Sequence, residues 1–182
     1  MGKVVLLGGN ARSGKTTVSY ELLKHGYKII NFDDLNTYLE DGLGIIFDEL
    51  SKEKQFLFFE TVINRALEES QMEDINLCID MYDYLPSDIT RLKNREALKI
   101  YFLAYPHCTK EQIKYNVVHY AKKTDWIAQV NDAYLEKCVD RFFERNKLIQ
   151  DECKKYGMKL IDTKSGQERI KILNDFISSL LV

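Results

Sequence analysis

Short apolar, β-branched runs alternate along this chain with longer stretches of helical periodicity. Residues 4–7, 27–32, 76–81, 98–104 and 158–161 predict five strands, each bounded by turn formers or charged residues. Residues 16–25 predict a helix that Gly26 ends. Phe56, Phe59, Ile63 and Leu67 then recur at steps of three and four, the spacing of one helix face. Pro86 opens a short helix, and residues 168–181 close the chain as another. Residues 110–156 read as amphipathic, charged helix with a break near Asp125 or Asn131. Strands that each alternate with helix form βαβ units, whose crossovers cover both faces of a parallel sheet. The expected class is therefore α/β, a three-layer α/β/α sandwich around a five-stranded parallel sheet. Two prolines and no Ser/Gly-rich linker predict a single domain over residues 1–182.

Composition narrows the partners. A formal net charge of −2 gives no overall attraction for nucleic acid or anionic membranes, so neither is expected and any phosphate binding must be local. No apolar run approaches the ~18–20 residues that span a bilayer, and no signal-peptide pattern opens the chain, which predicts a cytoplasmic protein. Cys78, Cys108, Cys138 and Cys153 lie far apart without a CxxC pair, so buried reduced thiols are expected rather than a disulfide framework. His25, His107 and His119 show no ligand spacing.

The chemistry concentrates near the start. Gly9, Asn10, Ala11, Arg12, Ser13, Gly14, Lys15 and Thr16 satisfy G-x-x-x-x-G-K-[ST], with an apolar strand before and a helix after. Glycines in such a loop let successive backbone N–H groups point inward as an anion nest, and the helix N-terminus adds partial positive charge. Lys15 is expected to reach the β- and γ-phosphates of ATP, Thr16 to ligate Mg²⁺, and Thr17 to complete the nucleotide-binding run. A GTPase reading fails, because Asn146-Lys147-Leu148-Ile149 has Ile where N-K-x-D needs Asp, and neither Asp80 nor Asp83 has Gly three residues on. Motor-type ATPases need a second acidic residue beside the Walker B Asp, whereas Met81 follows Asp80.

With these residues in place the chain resembles the small P-loop kinases, the group that includes adenylate, shikimate, uridine and nicotinamide riboside kinases. The resemblance covers nearly the whole length: a leading P-loop, an acidic turn after the second strand, a helical substrate region at about 36–75, and a helical lid at about 107–145. It implies an ATP-dependent phosphotransferase acting on a small-molecule acceptor, a nucleoside, nucleotide or other metabolite. Asn31-Phe32-Asp33-Asp34-Leu35 resembles the acidic turn of uridine and riboside kinases, with Leu35 in place of their aromatic. That likeness assigns Asp33 to the acceptor hydroxyl and the metal, and a carboxylate near the γ-phosphate can take the proton of an attacking hydroxyl. Alternatively, Asp33 and Asp34 cap a helix starting near Leu35. Asp80 ends a Walker-B-like strand, either to hold Mg²⁺ through water or to bond local backbone in a turn. Tyr82, Asp83 and Tyr84, just beyond, are candidate acceptor contacts.

Arg141 and Arg145 share a helix face and resemble the R-x-x-x-R pairs of kinase lids; Lys110, Lys114, Lys122 and Lys123 are alternatives. Glu136, Asp140 and Glu144 stand near enough to turn these into surface ion pairs instead. Arg65, Arg91 and Arg95 would suit an anionic acceptor if they faced the cleft. Residues 162–167 hold the position where such kinases wrap the adenine ring, and Trp126 reads as a lid or core anchor. A different class remains open, a nucleotide-binding switch whose ATP hydrolysis serves no small acceptor. Action on an RNA end is weaker, since no basic patch with interleaved aromatics appears.

Overall fold

In the computed structural model, which describes residues 2–121 and 126–182 apart from the Trp126 side chain, five parallel strands form one sheet. They are β1 (Val4–Gly9), β2 (Lys28–Asn31), β3 (Leu77–Asp80), β4 (Leu98–Ala104) and β5 (Lys159–Asp162), in the spatial order β2-β3-β1-β4-β5. The helices are α1 (Lys15–Lys24), α2 (Phe32–Leu43), α3 (Lys52–Glu73), α4 (Pro86–Ile89), α5 (Lys110–His119), α6 (Asp132–Tyr156) and α7 (Gly166–Leu181). The fold class is the three-layer α/β/α sandwich.

Alternation along β1 produces the layers. Val4 and Leu6 point into a core with Phe59, Ile63, Ala66 and Leu67 of α3 and Ile149 and Cys153 of α6. Val5 and Leu7 face the other way, against Val18 and Leu22 of α1 and Leu173, Phe176, Ile177 and Leu180 of α7. A third cluster joins Tyr105, Ile113 and Val117 to Cys138, Val139 and Phe142, seating α5 on the first half of α6. All four cysteines are free and buried.

One boundary beside the cleft differs from the sequence expectation, and another agrees with it. Phe32 does not end the second strand; it is the first residue of α2, because Asn31 caps that helix by accepting from the Asp33 N–H at 2.9 Å. The Phe32 ring is buried edge-on against Phe58, Phe59 and Tyr84, a core position that the strand reading did not require. The expected break in residues 110–156 falls between His119 and Asp132, where Asn131 caps α6 by accepting from Tyr134 N–H at 2.9 Å. Asp125, the other proposed break point, lies outside the described residues, as do Lys122 and Lys123.

Close approach of backbone explains one glycine. A Cβ on Gly9, whose φ is +139°, would lie 2.1 Å from the Leu103 carbonyl oxygen of the paired strand β4. Gly9→Ala is therefore expected to cost about 3 kcal/mol or more in a denaturant titration, since backbone atoms on both sides must give way. A loss below about 1 kcal/mol would contradict this packing.

Candidate phosphate-binding site

Parallel packing sets three strand ends side by side, since Leu7 of β1 and Asn31 of β2 both register with Asp80 of β3. In open α/β sheets ligands lie beyond these carboxyl ends, where the chain order switches sides. Here β1 sits between β3 and β4, and the loop leaving it curls over that crevice.

The loop is tied down from several directions. Asn10 N–H donates to the Leu103 carbonyl at 3.0 Å, and Asn10 Nδ2 to the Phe142 carbonyl of α6 at 2.7 Å. Asn10 Oδ1 accepts from Ala11 N–H at 2.9 Å, and the Ser13 hydroxyl donates to the Asn10 carbonyl at the same distance. The Tyr105 hydroxyl donates to the Ala11 carbonyl at 2.6 Å. Arg12 and Gly14 both take positive φ, 57° and 100°, and Gly14 then starts α1. Ser13 between them keeps negative φ, and such alternation of left- and right-handed residues turns successive N–H groups to one side, the geometry of an anion nest. Beside the loop opens a cleft of about 870 Å³, within the size range of small-ligand sites. Its walls include residues 11–17, Asp33, Tyr82, Tyr120, Arg141 and Arg169.

Charge in this cleft is unusual. Lys15 is only 8 % exposed, and its Nζ donates to the Asn10 carbonyl at 3.0 Å. Burial lowers the Lys15 pKa, opposed by the nearby carboxylates of Asp80 and Asp33. Asp80 is 4 % exposed and accepts from Thr16 Oγ1 at 3.2 Å and Ser19 Oγ at 3.4 Å. Burial raises the Asp80 and Asp33 carboxyls, with Lys15 pulling both down. Asp83 is likewise raised, by burial first and then by Asp33 and Asp48, while Asn36 Nδ2 donates to it at 3.1 Å. Low-dielectric surroundings shift groups in these directions and mark clefts suited to chemistry.

Several sequence candidates separate once placed. Asp33 lines the cleft from the first turn of α2; Asp34 beside it is exposed, as Asp33 is, but is not among the lining residues. Neither caps the helix, because Asn31 does so. Arg141 lines the cleft, whereas Arg145 donates to the Tyr82 carbonyl and stacks on the Tyr82 ring 4.3 Å from its centroid. Lys110 pairs with Asp140 and Lys114 with Glu136, so both serve to clasp α5 to α6. Arg65 pairs with Glu68, Arg91 lies over the Phe56 ring near Asp88, and Arg95 pairs with Glu96, all away from the lining residues. Residues 162–167 stay off the cleft wall, with Thr163 buried against the Ala104 carbonyl and Asp162 bonded to His107. Early α7 supplies that wall instead, through Arg169, Ile170, Leu173 and Asn174.

Two residues escaped the sequence reading. Ser19 stands one helical turn after Thr16, so the same face of α1 presents both hydroxyls to Asp80. Arg169 occupies the first position of the buried stripe that continues through Leu173, Phe176, Ile177 and Leu180. An arginine at an apolar-stripe position was the signal available in the sequence.

No sequence-family model and no curated protein sequence matches the chain. Solved structures do. A shikimate kinase from Bacteroides thetaiotaomicron superposes with a TM-score of 0.57 at 18% identity, covering 99% of each chain. A gluconokinase from Sinorhizobium meliloti 1021 gives 0.55 at 15% identity over 98% of this chain and 95% of that one. The shikimate kinase from Acinetobacter baumannii, solved in complex with shikimate, gives 0.51 at 18% identity over 99% and 94%. By layer order, strand order, loop and structural likeness, the chain has the fold of the small P-loop kinases.

Proposed function

We propose that this chain transfers the γ-phosphoryl group of ATP to a hydroxyl of a small molecule. The observation that carries the reading is that Lys15, Thr16 and Asp33 line one loop-walled cleft, with buried Asp80 bonded to Thr16 behind it. Phosphoryl transfer asks the protein mainly for position and charge. Backbone N–H groups of residues 11–14 would hold phosphate oxygens, and the Lys15 ammonium would lie against the β- and γ-phosphates. Asp33, across the cleft wall, would accept the proton of the acceptor hydroxyl. Arg141 would add positive charge from the α6 side. Kinase names among the structural neighbours agree with this class of reaction.

Thr16 Oγ1 and Asp80 Oδ2 fit magnesium by donor type, because both are hard oxygens and they stand 3.2 Å apart beside the loop. Among the described residues no group of three or more His, Cys, Asp and Glu is assembled for a metal. That suits an ion that takes one or two protein oxygens and completes its shell with water and substrate phosphates. Bound there, magnesium would supply charge neutralisation on the phosphate oxygens.

On the side of Asp33, the carboxylates of Asp33 and Asp48 raise that of Asp83, which Arg145 opposes, and Arg65, Arg91 and Arg95 are engaged elsewhere. A neutral or cationic hydroxyl compound suits this wall better than a carboxylate. Product analysis of ATP turnover over a panel of polyols, amino alcohols, nucleosides and hydroxy acids tests the reading. A phosphorylated neutral or cationic acceptor is expected; ADP and free phosphate alone, unchanged by every acceptor, would favour the switch.

The pH profile should carry the signature of Asp33. As a base it works deprotonated, so kcat/KM falls as pH drops through its pKa. Burial holds that pKa above 3.8, which places the acidic limb above the ordinary Asp value. A profile with no acidic limb, over the range in which the protein stays folded, would exclude Asp33 as the base.

A further inference from the structure

Arg169 is 6 % exposed, yet its buried Nη1 has no hydrogen-bond partner among the described residues. The Tyr120 ring lies 5.1 Å from the guanidinium carbon, Tyr105 and Cys108 stand close by, and the charge of Arg12 on the loop is near enough to lower the Arg169 pKa further. No carboxylate among the described residues pairs with it, and Glu168 beside it is taken by Lys164. A buried cation in such surroundings is costly, since burial penalises charge and an unsatisfied donor loses its water. Stability alone would place Leu or Met at this position of the α7 stripe, next to Leu173.

The place of the group shows what would complete it. Arg169 lines the cleft, and its Nη2 lies 3.5 Å from where a Cβ on Gly14 would stand, so the guanidinium abuts the loop at the start of α1. Leu173, one turn on, rests against the same glycine and fixes the helix there. Arginine's planar fork matches phosphate oxygens in paired hydrogen bonds, and it stays charged where lysine would lose its proton.

We propose that Arg169 is a phosphate ligand, donating from α7 to the oxygens of the triphosphate that the loop holds. This rests on the triphosphate reading given above. Three of the layers would then close on one chain of phosphates: the loop amides and Lys15 from β1 and α1, Arg141 from α6, and Arg169 from α7. Docking of α7 would respond to nucleotide, because the same helix that packs on the sheet carries the ligand.

Titration calorimetry with magnesium ATP and with magnesium tripolyphosphate, on wild type, Arg169→Met and Arg169→Lys, tests the assignment. Arg169→Met is expected to bind both ligands about tenfold or more weakly, the worth of a charge-assisted hydrogen bond to phosphate. Its ligand-free melting midpoint is expected to equal or exceed the wild-type value, which a merely structural arginine would not allow. Arg169→Met binding both ligands within about twofold of wild type, or losing affinity for ATP alone with tripolyphosphate unaffected, overturns the proposal. If Arg169→Met gives no cooperative melt, Arg169→Lys decides: weakened binding of both ligands supports the fork, and wild-type affinity overturns it. Wild-type protein that takes up neither ligand sinks the triphosphate reading itself, a separate failure.

Discussion

Replacing Lys15 by Ala is expected to lower ATP-dependent turnover by about three orders of magnitude while the fold survives. The side chain is buried, its Nζ bonds to the Asn10 carbonyl of its own loop, and the carboxylates of Asp80 and Asp33 oppose the burial that lowers its pKa. A charge in that position acts in a low-dielectric cleft, where one fixed donor to a transferring group is worth several kcal/mol, about 3–4 by analogy with oxyanion donors. The packing of α1 depends on Val18 and Leu22, not on Lys15. Far-UV circular dichroism and a cooperative melt should thus resemble wild type. Activity within about tenfold of wild type would remove Lys15 from the mechanism.

Asp33→Asn is expected to separate binding from chemistry. Asn keeps the shape of the side chain and the capping bond, which is accepted by Asn31 from the backbone N–H of residue 33. Affinity for ATP should therefore stay within a few-fold, whereas kcat should fall by about two orders of magnitude or more through loss of the base. The acidic limb of the pH profile should vanish with it. Near-normal turnover in this variant would leave the acceptor proton to another group, with Asp83 next in line by position.

The layers of this molecule were legible because apolar periodicity is a local property. Val4, Val5, Leu6 and Leu7 read as a strand buried on both faces, and they are buried on both faces. Phe59, Ile63 and Leu67 read as one helix stripe and face the core. Residues 9–16 were legible because the loop needs particular residue types at fixed spacing. The rest depends on distances that spacing does not encode. Arg141 and Arg145 share a helix face by count, but the Tyr82 carbonyl captures Arg145 from a different layer. Arg65, Arg91 and Arg95 have the right charge for an acceptor site and find local partners instead. Arg169 resembles a surface charge within Gln167-Glu168-Arg169-Ile170 until α7 docks and buries it. Phe32 moved from strand to helix because a side-chain cap at Asn31 decides the boundary, and such caps carry little weight against an apolar run.

The account depends most on a triphosphate seated in the loop of residues 9–16, and isothermal titration calorimetry of the wild-type protein with ATP in the presence of magnesium tests that directly. Saturable uptake near one ATP per chain, abolished or greatly weakened in Lys15→Ala, is the predicted result. Heat of dilution alone with ATP and every other purine triphosphate, from protein that melts cooperatively, would contradict it.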